Sequence, residues 1–221
     1  MKFKKTIAIV DDESLFREGF MRLLEQYRHI EVLFEASNGK DLLEKLKVRK
    51  PEVIFMDIKM PLMDGIEATE KVRERYPDIK IIILTTVESK ELMYTMMEKG
   101  ANAFLTKNAE IKTINKAISE VIEKGYYFDY ETTQVLASGI YKRNSGKLSY
   151  QSVKLSEREL EVAKLICQQL TNREIADKLC LSPRTVDTYR ENIIEKTGSK
   201  NSVGIVMFAV RNQLFDFLSY K

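Results

Sequence analysis

The stretch Val53-Ile54-Phe55-Met56-Asp57-Ile58-Lys59-Met60-Pro61 decides how this chain folds. Its first four residues are apolar without alternation, too few for a helix, and have the pattern of a strand buried on both faces of a parallel sheet. Asp57 then stands at the carboxyl end of that strand. The same grammar recurs at Thr6-Ile7-Ala8-Ile9-Val10, which ends on Asp11-Asp12. In open α/β sheets ligand sites gather in the crevice at the carboxyl ends of the strands, so three carboxylates there read as a site rather than as separate loop acids. They repel one another unless a cation neutralises them, and oxygen-only ligands with room for water favour Mg²⁺.

Three more apolar runs, at 32–36, 81–84 and 103–105, continue the pattern. Amphipathic segments alternate with the five runs at about 14–28, 38–49, 65–76, 89–99 and 109–124. Apolar strands alternating with helices indicate a parallel sheet covered on both sides. Pro51 and Pro77 fall in helix-to-strand connections, and Gly100 follows the fourth helix as a C-cap residue would. The predicted fold class is α/β over residues 1–125, a five-stranded doubly wound parallel sheet. Residues 126–151 read as a linker, part helical. They hold the aromatic run Tyr126-Tyr127-Phe128-Asp129-Tyr130, a short helix through about 134–141, and the polar Lys142-Arg143-Asn144-Ser145-Gly146-Lys147, a flexible tether by composition. Whether the aromatic run packs on a domain stays open. Residues 152–221 read as a small all-α domain of four helices.

A chain of 221 residues is comfortable for two domains, and its apolar and charged fractions are those of a globular protein. No apolar stretch approaches the ~20 residues needed to span a bilayer. Lys2-Phe3-Lys4-Lys5 before Ile7-Ala8-Ile9-Val10 is a weak leader pattern that stops at Asp11-Asp12-Glu13 without a cleavage site, so a cytoplasmic location is expected. Cys167 and Cys180, both among leucine or isoleucine, read as buried free thiols. Two cysteines and one histidine make no structural zinc site alone, and His29, near the end of the first predicted helix, stands apart from the acids. The net charge of +3 is too small to point to nucleic acid by itself.

The remaining strand ends complete the rim. The fourth run ends in Leu84-Thr85-Thr86 and the fifth in Phe104-Leu105-Thr106-Lys107. Carboxylates, a hydroxyl and an ammonium around one crevice suit capture of a phosphoryl group, one carboxylate being the acceptor. The motifs Val10-Asp11-Asp12-Glu13, Asp57-x-x-Met60-Pro61, Asp64-Gly65, Leu84-Thr85 and Phe104-x-x-Lys107 resemble those of the receiver domain of two-component response regulators, a flavodoxin-like fold, over residues 5–124. The resemblance implies that Asp57 is the phosphoacceptor and that Asp11, Asp12, Asp57 and the Lys59 carbonyl hold Mg²⁺. It implies that Thr85 and Lys107 bind phosphoryl oxygens and that Phe104 is the aromatic that swings inward when Thr85 moves. This chain departs from the common pattern in having Asn108, not proline, after the lysine, and Thr86 after the switch hydroxyl.

Three capping signals mark helix starts in the second half. Ser156-Glu157-Arg158-Glu159 and Thr171-Asn172-Arg173-Glu174 fit the capping box, and Ser182-Pro183 is an N-cap followed by proline. Two short helices joined at residues 179–182 read as a helix-turn-helix. A last helix at about 202–214, rich in Val203, Ile205, Val206, Phe208 and Val210, is greasy enough to serve both core and an interface between DNA-binding domains. Leu155-Ser156-x-Arg158-Glu159, Leu170-Thr171-Asn172-x-Glu174-Ile175-Ala176 and Ser182-x-x-Thr185-Val186-x-x-Tyr189 resemble the LuxR-type (NarL/FixJ) DNA-binding domain over roughly 152–214. At 100° per residue, Val186, Arg190 and Ile193 share the inner stripe of the second helix, with Tyr189 and Ile194 flanking. Arg184, Asp187, Thr188, Glu191, Asn192 and Glu195 face outward, where base edges would lie. Thr171, Asn172, Arg173, Tyr189, Lys196 and Lys200 are the candidate phosphate contacts. The combined resemblance implies a sensor histidine kinase as phosphoryl donor, homodimerisation on phosphorylation, double-stranded DNA with paired half-sites, and RNA polymerase as a further candidate partner. It implies transcription control without substrate turnover. An aspartate-nucleophile hydrolase would need a second catalytic acid beside Asp57, and Ile58-Lys59 supplies none.

Overall fold

The structure, a computed structural model, describes residues 4–87, 89–143 and 153–215. Five strands, β1 (Lys5–Val10), β2 (Ile30–Ala36), β3 (Val53–Met56), β4 (Lys80–Thr85) and β5 (Ala103–Thr106), form one all-parallel sheet in the order β2-β1-β3-β4-β5. Helices α1 (Ser14–Glu25), α2 (Gly39–Leu46), α3 (Gly65–Arg75), α4 (Lys90–Lys99) and α5 (Ile111–Glu123) connect and flank them. Alternate strand residues feed two cores. Ile7, Ile9, Phe55, Ile82 and Leu84 pack with α1 and α5, while Ala8, Ile54, Met56, Ile81 and Ile83 pack with α2, α3 and α4. Burial on both faces is why β3 carries no polar residue. Because β1 neighbours both β2 and β3, the crossovers leave it in opposite directions. The crevice opens at that switch point, where Asp11 and Asp57 lie.

Helix α6 (Tyr130–Arg143) begins four residues before the predicted short helix and takes in Lys142 and Arg143. Residues 144–147 of the predicted tether lie outside the described residues. The aromatic run packs inward: Tyr126 and Phe128 are buried with ring centroids 4.5 Å apart, and the Tyr126 hydroxyl donates to the Ile166 carbonyl. Helices α7 (Glu157–Cys167), α8 (Asn172–Leu179), α9 (Pro183–Thr197) and α10 (Ser202–Arg211) form the second unit, and all three predicted caps are present.

The two units share one apolar cluster, in which Met96 and Met97 of α4 join Val203, Val206 and Met207 of α10. Polar contacts stitch this seam. Asn201 Nδ2 donates to the Gly100 carbonyl at 2.8 Å, Arg190 Nη1 donates to the Lys124 carbonyl at 3.0 Å, and Arg211 pairs with Tyr94 and Glu98. The apolar face of α10, expected to be free for a second DNA-binding domain, is therefore covered within one chain by α4 and α6.

Two expectations change. Cys167 is buried, but Cys180 is exposed, because it ends α8 with φ 54° and this left-handed turn points it away from Leu179 and Leu181. Helix α1 stops at Glu25, so His29 lies in the connection to β2, its Nε2 3.1 Å from Asn115 Oδ1.

Candidate functional site

Strand geometry assembles the acids. The Asp57 amide donates to the Val10 carbonyl at 2.8 Å, continuing the β1–β3 ladder one residue past β3, and this sets Asp57 beside Asp11. Carboxylate oxygens of Asp11, Asp12 and Asp57 lie within 4.8 Å of one another. Asp11 and Asp57 are buried and Asp12 is exposed. Lys107, one residue past β5, donates to Asp11 Oδ2 at 2.7 Å and stands 3.5 Å from Asp57 Oδ2. Burial raises the Asp11 carboxyl above its ordinary range against the opposing Lys107 hydrogen bond. Burial also pulls the Lys107 ammonium down, but its Asp11 hydrogen bond and the Asp57 charge outweigh this and leave it raised.

One oxygen has no partner. Asp57 Oδ1 is buried and accepts no hydrogen bond among the described residues. Three carboxylates against one lysine, with a bare buried oxygen among them, are the donor set of a hard cation, and Mg²⁺ fits it. Gly65 makes the fit close: a Cβ there would meet the Asp57 carbonyl at 2.1 Å, so a side chain would push the loop off the site. Lys59 follows at the exposed rim, and Asp64 caps α3 by accepting from Glu67 N–H at 2.9 Å.

Thr85 is buried at the end of β4, where its Oγ1 accepts from Val87 N–H at 3.3 Å. Thr86 is exposed. Phe104 already lies inside, in the cluster shared with α4. No cis peptide bond occurs among the described residues, so the Lys107–Asn108 bond is trans. Two contributors had no distinct signal in the sequence. Arg17 Nη1 donates to the Asp11 carbonyl at 2.6 Å, and the Phe16 ring lies 4.4 Å from the Lys107 ammonium. Both sit on α1, where they read as ordinary amphipathic-helix residues.

In the second unit the inner stripe of α9 is as expected: Val186, Arg190 and Ile193 are buried, with Tyr189 and Ile194 half-buried beside them. Arg184, Asp187, Thr188, Glu191 and Asn192 are exposed, as is Arg173 on α8. Thr171 caps α8, and Asn172 Nδ2 donates to Asp187 Oδ1, so these three cluster between the helices. Lys196 and Lys200 are engaged elsewhere. Lys196 donates to both Glu159 oxygens at 2.7 and 2.8 Å, and Lys200 lies 4.0 Å from Glu70 of α3.

Comparison with known proteins agrees with this two-part anatomy. Residues 7–119 match the response regulator receiver domain, and residues 153–209 match the bacterial regulatory proteins of the luxR family. Response regulator GacA of Pseudomonas aeruginosa is 35% identical over 213 residues, covering 96% of this chain and 99% of that one. Oxygen regulatory protein NreC of Staphylococcus aureus is 32% identical over 215 residues, covering 96% and 99%. Among solved structures, the response regulator ChrA of a heme-sensing two-component system is 28% identical with a TM-score of 0.50, covering 96% and 99%. RcsB of Salmonella typhimurium, 22% identical with a TM-score of 0.56 over 93% and 98%, shares the fold. No helix among the described residues is long and apolar enough to cross a membrane. The chain belongs to the two-component response regulators of the luxR class: a receiver domain followed by a DNA-binding helix-turn-helix domain, a regulator of transcription rather than an enzyme acting on a metabolite.

Proposed function

We propose that Asp57 accepts the phosphoryl group of a partner kinase's phosphohistidine and that this event governs DNA binding by α9. The observation that carries the reading is the bare, buried Oδ1 of Asp57 beside Asp11, Asp12 and Lys107. An Asp57 oxygen attacks phosphorus, the phosphorus–nitrogen bond breaks, and its electron pair leaves with the imidazole. Lys107 balances the negative charge on the phosphoryl oxygens, and the Thr85 hydroxyl donates a hydrogen bond to one of them. Asp11, Asp12, Asp57 and the Lys59 carbonyl would hold Mg²⁺, which when bound supplies the remaining charge compensation.

Thr85 ends β4 and leads into α4, the helix that carries Tyr94 and Glu98 to the seam. Movement of Thr85 toward the phosphoryl group shifts the start of α4, repacks its contact with Phe104 and weakens the seam. Release parts Arg190 of α9 from the Lys124 carbonyl of the receiver and frees α10 to contact a second copy, so that a homodimer meets paired half-sites. The protein acts in the cytoplasm, with a sensor histidine kinase upstream and RNA polymerase as a further partner at the promoter.

The test is selection of genomic DNA fragments by the full chain, with and without a small acyl phosphate and Mg²⁺, at one stated salt concentration. Fragments with half-sites spaced by about one helical turn should be enriched after phosphorylation of the wild type but not of Asp57→Asn. Equal enrichment by both proteins would contradict the reading.

A further inference from the structure

We propose that Asp187, braced by Asn172, selects a base with an exocyclic amino group, cytosine or adenine, at one fixed position of each half-site. The proposal rests on the DNA-reading role given above to α9. Asp187 is the fifth residue of α9, in the N-terminal half that a recognition helix presents to base edges. Its carboxylate is held in place. Asn172, the first residue of α8, donates its Nδ2 hydrogen to Asp187 Oδ1, tying the start of α8 to α9. Asp187 Oδ2 makes no hydrogen bond, and no cation lies within 4.0 Å of Asp187 or Glu191, among the described residues. Lys196 of the same helix is spent on Glu159. The carboxylate is thus exposed, oriented and free of any salt bridge within 4.0 Å among the described residues.

A carboxylate only accepts hydrogen bonds. In the major groove guanine offers the acceptors N7 and O6, and thymine offers O4 and a methyl group; only cytosine N4 and adenine N6 donate. A fixed Asp187 therefore accepts cytosine or adenine and is repelled by guanine and thymine. The same charge is repelled by phosphates wherever no amino group meets it, so it lowers affinity for unrelated DNA while sharpening the choice of base. Glu191, one turn further along the same exposed face, repeats the sign.

The test uses the full chain, treated with a small acyl phosphate and Mg²⁺, on a pool of random-sequence duplexes at fixed salt. The wild type should enrich cytosine or adenine at one position of each half-site, on the order of tenfold over guanine or thymine. Asp187→Asn, which adds a donor, should move that position toward adenine, since an amide pairs with adenine N6 and N7. It should also bind an unrelated duplex several-fold more tightly, because one negative charge is gone. Asn172→Ala keeps the charge but loses the brace, so the preference at that position should blur while the slope of affinity against salt stays as in the wild type. Circular dichroism of each variant checks that the helices remain. If Asp187→Ala, which can neither accept nor donate there, enriches the same base at that position as the wild type, Asp187 is only a cross-brace and the proposal falls, with the DNA-reading role intact. If the treated wild type enriches no sequence, that role falls and takes the proposal with it.

Discussion

Asp57 holds one oxygen buried and unbonded, an arrangement that costs stability in a protein that only needs to fold. Cys180 carries a different local cost. Its φ of 54° lies in the left-handed region, and its side chain is exposed, so nothing around it compensates for the Cβ. Cys180→Gly is expected to stabilise the C-terminal domain by about 0.5–1 kcal/mol, because glycine adopts this turn freely. Urea unfolding followed by helix signal measures it, and a lower midpoint would contradict the argument. The sequence concealed this residue for a definite reason. Leu179 and Leu181 do pack on the core, so Leu-Cys-Leu reads as buried throughout, and the usual glycine that announces a helix end is missing.

The capping elements were legible because capping is local. Ser156 and Thr171 each accept the expected backbone N–H, and Glu159 and Glu174 each reach back to the cap. Glu159 does more than its capping box suggests, since Lys196 of α9 also grips it. Burial pushes its carboxyl up, but the Lys196 and Ser156 hydrogen bonds outweigh that and hold it below the ordinary value. A lowered folded-state pKa gives stability that is present above the unfolded-state value and is lost as pH falls through the folded one. Amide exchange protection of α7 should therefore weaken on acidification below the ordinary glutamate range, and Glu159→Gln should lose less over the same interval. Identical pH profiles for both proteins would show that the ion pair contributes nothing. Asn201 is also double-purposed: its Oδ1 caps α10 by accepting from Gly204 N–H, while its Nδ2 donates to Gly100 of the receiver. Asn201→Ser keeps a capping oxygen and deletes the donor, so it should loosen the seam by about 1 kcal/mol while leaving α10 helical. Faster exchange confined to the α4–α10 contact is the expected result, and unchanged exchange there would assign the bond no role.

Across the whole molecule, the acid rim was legible and the seam was not. Asp11, Asp57, Thr85 and Lys107 each end a short apolar run, and in a parallel sheet strand ends converge, so local pattern was sufficient to bring them together. The seam depends on which side of α10 meets α4, a contact between residues about a hundred apart in the chain, as Asn201 and Gly100 are. Periodicity shows that α10 is apolar nearly all round but carries no information about what covers it. In the proposed mechanism, Thr85 just before α4 and the domain contact along that helix make it the path between Asp57 and the DNA-binding domain. The measurement that bears on it all is the intact mass of the full chain after incubation with a small acyl phosphate. With Mg²⁺ the wild type should gain the mass of one phosphoryl group, and this gain should vanish on chelation of the metal and in Asp57→Ala. No gain in the wild type, or the same gain in Asp57→Ala, would contradict the role assigned to the acid cluster.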